Sequence, residues 1–140
     1  ADANVKSKLS AQIVSLKAAM EQKDEDLKIS QKSMLTDDIA TADAERDGLY
    51  SGYKKAVKGY TGLPVENMAK SAKVLMQHIK DYGIDPKMQL DRETGLLINF
   101  IDDLEKKYAN EVQTLLLGAF VTALKAANEK VRTMTATRTD

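Results

Sequence analysis

Arg46 stands where an apolar residue is due. Positions Leu35, Ile39, Ala42, Arg46, Leu49, Tyr53, Ala56 and Tyr60 advance by alternating fours and threes, and only Arg46 breaks the stripe. A guanidinium turned toward a core must be paired, and Asp43, three residues earlier, is within helical reach. Tyr50 and Tyr53 follow on the same side. Two chemistries fit these residues. Arg46 and Asp43 can form a buried polar tie between helices. Alternatively, Arg46 with Asp43, Tyr50 and Tyr53 lines a pocket for a small anionic ligand, because its planar fork meets carboxylate or phosphate bidentately. Gly48 and Gly52, four apart on one face, suit a close helix contact, at about 1 kcal/mol each relative to Ala in a helix interior.

His78 is the single histidine. A phosphoacceptor role would call for Lys and Gly three and four residues later. Here Lys80 and Gly83 come two and five residues on, so the expectation is a partly exposed His beside Asp81. One His and no Cys exclude His-rich metal sites, thiol nucleophiles, zinc fingers and disulfides. Di-iron bundles need paired Glu-x-x-His motifs, which are absent here. Asp102, Asp103 and Glu105 cluster by sequence without a His or Cys, and Asp102 and Glu105 fall toward the outer side of the fourth helix. No Ser-His-Asp set or phosphate-cradling glycine loop is recognisable. No catalytic residue, metal or cofactor is therefore expected, and the chain reads as non-enzymatic.

Charge sums to zero, 21 basic against 21 acidic side chains, which argues against a dedicated nucleic-acid binder. It is nonetheless segregated. Residues 36–52 carry five acids and one base, residues 53–80 six Lys and one Glu, and residues 81–111 eight acids and four bases. Solvated helix faces explain most of this. Lys54, Lys55, Lys58, Lys70, Lys73 and Lys80 are the candidates for a polyanion-binding face, ranked behind the other readings because acidic segments flank them.

The elements that carry these residues are helical throughout. Val65, Met68, Ala72, Leu75, Ile79 and Tyr82 repeat the three-four step. So do Leu97, Ile98, Ile101 and Leu104, and so do Leu117, Phe120, Val121, Leu124, Asn128 and Val131, while no segment alternates with period two. Asn99 and Asn128 lie on or beside these stripes, where a polar residue more often fixes register than binds ligand. Gly62 with Pro64, and Gly83 with Pro86, punctuate the chain. Helices are expected near 3–29, 36–61, 64–82, 91–107 and 110–135, with Thr36 opening the second and Asp91 and Glu93 facing the dipole of the fourth. Residues 30–35 hold neither Gly nor Pro, so one long helix across them is the competing reading. Short connections between marginal amphipathic helices favour a single all-α domain over residues 1–140, an antiparallel up-and-down bundle of four to five helices.

No apolar run approaches the roughly 18 residues needed to cross a bilayer. Ala1 to Ser10 lacks the apolar segment of a signal peptide, which favours a cytoplasmic chain, although the sequence opens without Met and a leading piece can have been removed.

The run Ser33, Leu35, Thr36, Ile39, Ala42, Asp43, Arg46 and Asp47 resembles a family of uncharacterised bacterial proteins, a domain-of-unknown-function group. The similarity continues through Tyr82-Gly83, through Glu93, Thr94, Ile98, Asn99, Asp102 and Leu104, and through Leu117, Val121, Leu124 and Asn128. It covers about residues 25–135. The resemblance implies a mostly helical fold, carries no activity, and implies that this chain is the core of longer relatives.

The leading expectation is a structural or protein-interaction bundle that can self-associate. Leu96, Leu97, Ile98, Phe100 and Ile101, and Leu115, Leu116, Leu117, Phe120 and Val121, make apolar faces wider than one stripe, and such faces must be covered by something.

Overall fold

Regular apolar spacing pays off only when the stripes face one another, and the computed structural model, which describes residues 24–139, shows them doing so. Its helices are α1 (Asp24–Tyr60), α2 (Glu66–Tyr82), α3 (Leu90–Glu105), α4 (Ala109–Thr114) and α5 (Gly118–Thr139). No strand occurs among the described residues, and the fold is an all-α bundle. From residue 38 onward the described residues, α2 to α5 and most of α1, belong to one compact unit, the second of two.

Two expectations about helix boundaries change. Residues 30–35 are helical, so α1 runs unbroken and Thr36 does not open it. With no Gly or Pro in the segment, nothing stops propagation, and a capping residue marks a start only where the preceding chain has left the helix. The part of the first expected helix before residue 24 lies outside the described residues. The last expected helix is two, because the chain turns at residues 115–117 between α4 and α5.

The turns show their chemistry. Gly83 caps α2 in the left-handed region at φ 54°, its N–H donating to Ile79 O at 3.1 Å. Asp85, Pro86, Lys87 and Met88 close a β-turn, with Met88 N–H on Asp85 O at 3.0 Å and Lys87 N–H on the Asp85 carboxylate at 2.9 Å.

Within the second unit α3 packs on α5, and α4 packs on α2 and α3. Thr94 meets Asn128 at one level and Glu105 meets Lys125 at another, so α3 and α5 are antiparallel. Arg46 meets Thr94 and Tyr53 meets Phe100, so α1 runs parallel to α3. The core lies between them, with Tyr53, Val57, Leu75, Phe100, Leu104, Leu115 and Leu124 at most 1% exposed. Gly52 lets α1 approach α5, since a Cβ there would stand 3.1 Å from the Phe120 ring; Gly48, the other half of the expected contact, faces open space. Ile98 departs from its stripe and is 46% exposed. In the run Leu96-Leu97-Ile98, Leu97 is buried and Leu96 half-buried against the core, which leaves Ile98 on the outer side.

Candidate functional site

The Arg46 side chain is completely buried. Its Nη1 donates to Thr94 Oγ1 at 2.6 Å and to Asn128 Oδ1 at 3.0 Å. Its Nη2 donates to Asp43 Oδ1 at 3.0 Å and also contacts Glu93 Oε2. The amide of Asn128 donates onward to Thr94 O at 3.1 Å, and the Thr94 hydroxyl donates to Leu90 O at 3.0 Å. One guanidinium thus joins α1, α3 and α5. Asp43 is present as expected, but Glu93, Thr94 and Asn128 are the larger part of the site.

The Asp43, Asp47 and Glu93 carboxylates converge, one oxygen from each lying within 4.8 Å of the others. Burial, and then a hydrogen bond with Asp47, push the Glu93 carboxyl up to about 8, and the Arg46 charge offsets this only in part. Burial raises Asp47 as well. Tyr50 and Tyr53 pack edge-on to Phe100, with centroids 5.5 and 5.9 Å away. Their buried hydroxyls, and Arg46 Nε, have no hydrogen-bond partner among the described residues. Burial first, and the charge of Glu93 second, push Tyr50 up to about 12, and burial raises Tyr53 further. An anion at Arg46 would have to displace partners from both outer nitrogens and face three carboxylates.

His78 is not partly exposed beside Asp81 but 3% exposed and paired elsewhere. Its Nε2 lies 3.0 Å from Asp103 Oδ2, which also accepts the Tyr82 hydroxyl at 2.8 Å. The ring stacks on Phe100 at 4.4 Å, with Tyr108 and Tyr82 at 4.7 and 5.0 Å. His78 continues the face of Leu75, Ile79 and Tyr82, which is the signal that it turns inward. Asp103 comes 25 residues later and could not be matched to it by local spacing.

Burial lowers the His78 pKa, although Asp103 and Asp81 pull it up, and Lys107 adds to the lowering. The unfolded chain therefore binds the proton more readily. The contribution of His78 is full above its ordinary value of 6.5 and is lost as pH falls through its lower folded value. Glu93 acts in the opposite sense: its contribution is full below 4.5 and is lost as pH rises through about 8. The histidine effect is therefore read as a difference. Urea midpoints measured from about pH 7.5 to 5 should fall more for the wild type than for His78→Phe, and equal slopes would refute the assignment.

The six lysines do not meet at this network. Lys54 holds its ammonium 4.9 Å over the Tyr50 ring, and Lys55, Lys58, Lys70, Lys73 and Lys80 are exposed. None forms an ion pair with a described residue. Asp102 and Glu105 face outward as expected, on Lys106 at 2.8 Å and Lys125 at 3.0 Å.

A second feature lies at the α3–α4–α5 corner. Leu104, Ala109, Val112, Leu116 and Val121 line an open groove of about 540 Å³. Beside it α4 ends in a doubly bonded turn: Leu117 N–H donates to Val112 O at 2.9 Å and Leu116 N–H to Gln113 O at 3.1 Å. This geometry places Leu116 in the left-handed region at φ 56°, a position that glycine normally fills. Gly118 stands two residues too late and begins α5 instead. Leu116 is also 81% exposed, so its side chain contributes little packing to its own fold.

Comparison with known proteins gives a match to the profile of a family of unknown function (DUF6261) over residues 36–140. No curated protein matches. No solved structure matches either.

Proposed function

The chain belongs to that family of unknown function, so what it does has to be argued from its own residues, and we propose that it is a non-enzymatic interaction bundle that pairs with a second copy of itself. Leu116 carries this reading. A bulky residue in the left-handed region costs about 1–2 kcal/mol relative to a right-handed conformation, and a solvent-exposed leucine recovers little of that through burial. Such a residue is explained if the side chain is buried in the assembly.

A second copy suits the site because protruding leucine and receiving groove share one patch. A two-fold axis beside it would seat each Leu116 in the groove of its partner, the self-complementary arrangement of isologous dimers. The charged residue of the lining, Glu105, is matched by Lys125, with both carboxylate oxygens within 3.1 Å of the ammonium, so like surfaces do not repel.

Sedimentation of the full chain against Leu116→Gly tests this. Glycine relieves the backbone while removing the knob, so the variant should be as stable as the wild type or more so, by up to about 1 kcal/mol, yet be monomeric where the wild type is dimeric. A wild type that stays monomeric at high concentration refutes the proposal, and so does a variant that dimerises equally well.

A further inference from the structure

The link between α1 and α2 carries apolar side chains outward. Leu63 is 39% exposed and Val65 46%, with exposed Pro64 between them. Hydrogen bonds on either side fix this tip: Leu63 N–H donates to Tyr60 O at 3.2 Å, and Ala69 N–H to Val65 O at 2.9 Å. Tyr60 and Met68, just outside it in sequence, pack against the core and brace the turn. Four exposed lysines flank the tip, Lys55 and Lys58 on α1 and Lys70 and Lys73 on α2. At about 1.5 Å per helical residue, each lies within about 11 Å, along its helix, of the end that meets the link. We propose that this tip docks the chain on an anionic phospholipid surface, with Leu63, Pro64 and Val65 entering the headgroup layer and the four lysines facing the lipid anions.

Two independent observations support this docking. The first is unmatched charge. Elsewhere on the surface Lys106, Lys125, Lys130 and Arg132 pair with Asp102, Glu105, Glu45 and Glu129, whereas none of the four lysines at the tip has an ion pair with a described residue. From residue 53 to residue 73 five Lys stand against one acid, Glu66. Such a set is drawn to an anionic surface over a screening length of about 8 Å at physiological salt. The second is the apolar tip itself. A soluble polyanion such as a nucleic acid engages the lysines alone and leaves Leu63 and Val65 in water. It also finds no free ring to stack on there, because Tyr60 is packed on the core. A lipid surface engages both sets, since its headgroup layer buries apolar side chains while its anions meet the ammonium groups. The docking needs no spanning helix, and none of the described helices is long and apolar enough to be one.

Sedimentation of the full chain with lipid vesicles tests the assignment without reference to self-association. The wild type should pellet with vesicles of equimolar phosphatidylserine and phosphatidylcholine, and bind pure phosphatidylcholine about tenfold more weakly or worse. Lys55→Gln, Lys58→Gln, Lys70→Gln and Lys73→Gln together should weaken binding to the mixed vesicles by about tenfold or more. Lys80→Gln with Lys87→Gln, at and beyond the far end of α2, should stay within about twofold of the wild type. Leu63→Ser with Val65→Ser should weaken binding by about fivefold or more, with the melting temperature unchanged because both side chains are exposed. The chain has no Trp, so Leu63→Trp adds an emission probe at the tip, which should shift to the blue on the mixed vesicles and not on heparin. A wild type that does not bind the mixed vesicles overturns the proposal, as does probe emission that the vesicles leave unchanged. Equal binding by the wild type and the Leu63→Ser, Val65→Ser variant also overturns it, since the face would then serve polyanions in general.

Discussion

Replacing Arg46 by methionine should lower the free energy of unfolding by about 3–5 kcal/mol, measured from urea titrations. The side chain is wholly buried, and its removal leaves Glu93 and Asp43 without the guanidinium they contact. It also strips the donor from Thr94 Oγ1 and Asn128 Oδ1. Each buried acceptor left unmatched costs about 1–3 kcal/mol, and the charged ones cost more. The loss should fall well short of additivity when Glu93 is changed to methionine as well, since removing both halves of a buried pair avoids stranding either. A loss below about 1 kcal/mol for Arg46→Met alone would show that the tie contributes little. Stabilisation of the wild type by millimolar phosphate would instead revive the anion-pocket reading of Arg46, Tyr50 and Tyr53.

Phe100→Ala should be comparably severe, at about 3–5 kcal/mol. Phe100 is fully buried and meets four rings from two other helices: Tyr50 and Tyr53 of α1, and His78 and Tyr82 of α2. Each edge-on or offset pair adds about 0.5–1.5 kcal/mol beyond area alone, although losses at one ring do not sum. Phe100→Leu keeps most of the volume and loses the ring geometry, so it should fall between the wild type and alanine. If alanine costs less than about 1.5 kcal/mol, the four rings do not depend on Phe100 for their packing.

The helical faces were legible because burial and spacing are local facts. The α1 stripe from Ile39 to Tyr53, the α2 face of Ala72, Leu75 and Ile79, and the α5 face of Val121, Leu124 and Val131 all turn inward. Arg46 was legible for the same reason, as a polar residue on an apolar stripe that demands a partner. Its partners were only half legible. Asp43 is on the same helix, whereas Glu93 was assigned to the helix dipole although it stands four residues before Leu97 on the buried face. The dipole attracts an acid weakly, and the buried guanidinium attracts it more strongly. The left-handed position of Leu116 was not legible at all. Three leucines followed by Gly118 read as a run with a late cap, and only the two turn hydrogen bonds settle which residue occupies the turn.

The ring cluster at Phe100 also equips the chain with its own optical probe. There is no Trp among five Tyr, and Tyr50, Tyr53, Tyr82 and Tyr108 all touch Phe100 or His78. Ultraviolet emission from the unlabelled protein therefore comes chiefly from one spot, where α1, α2 and α3 converge. Because burial raises Tyr50 and Tyr53 so far, tyrosinate absorbance should appear late in an alkaline titration, in step with the opening of that spot.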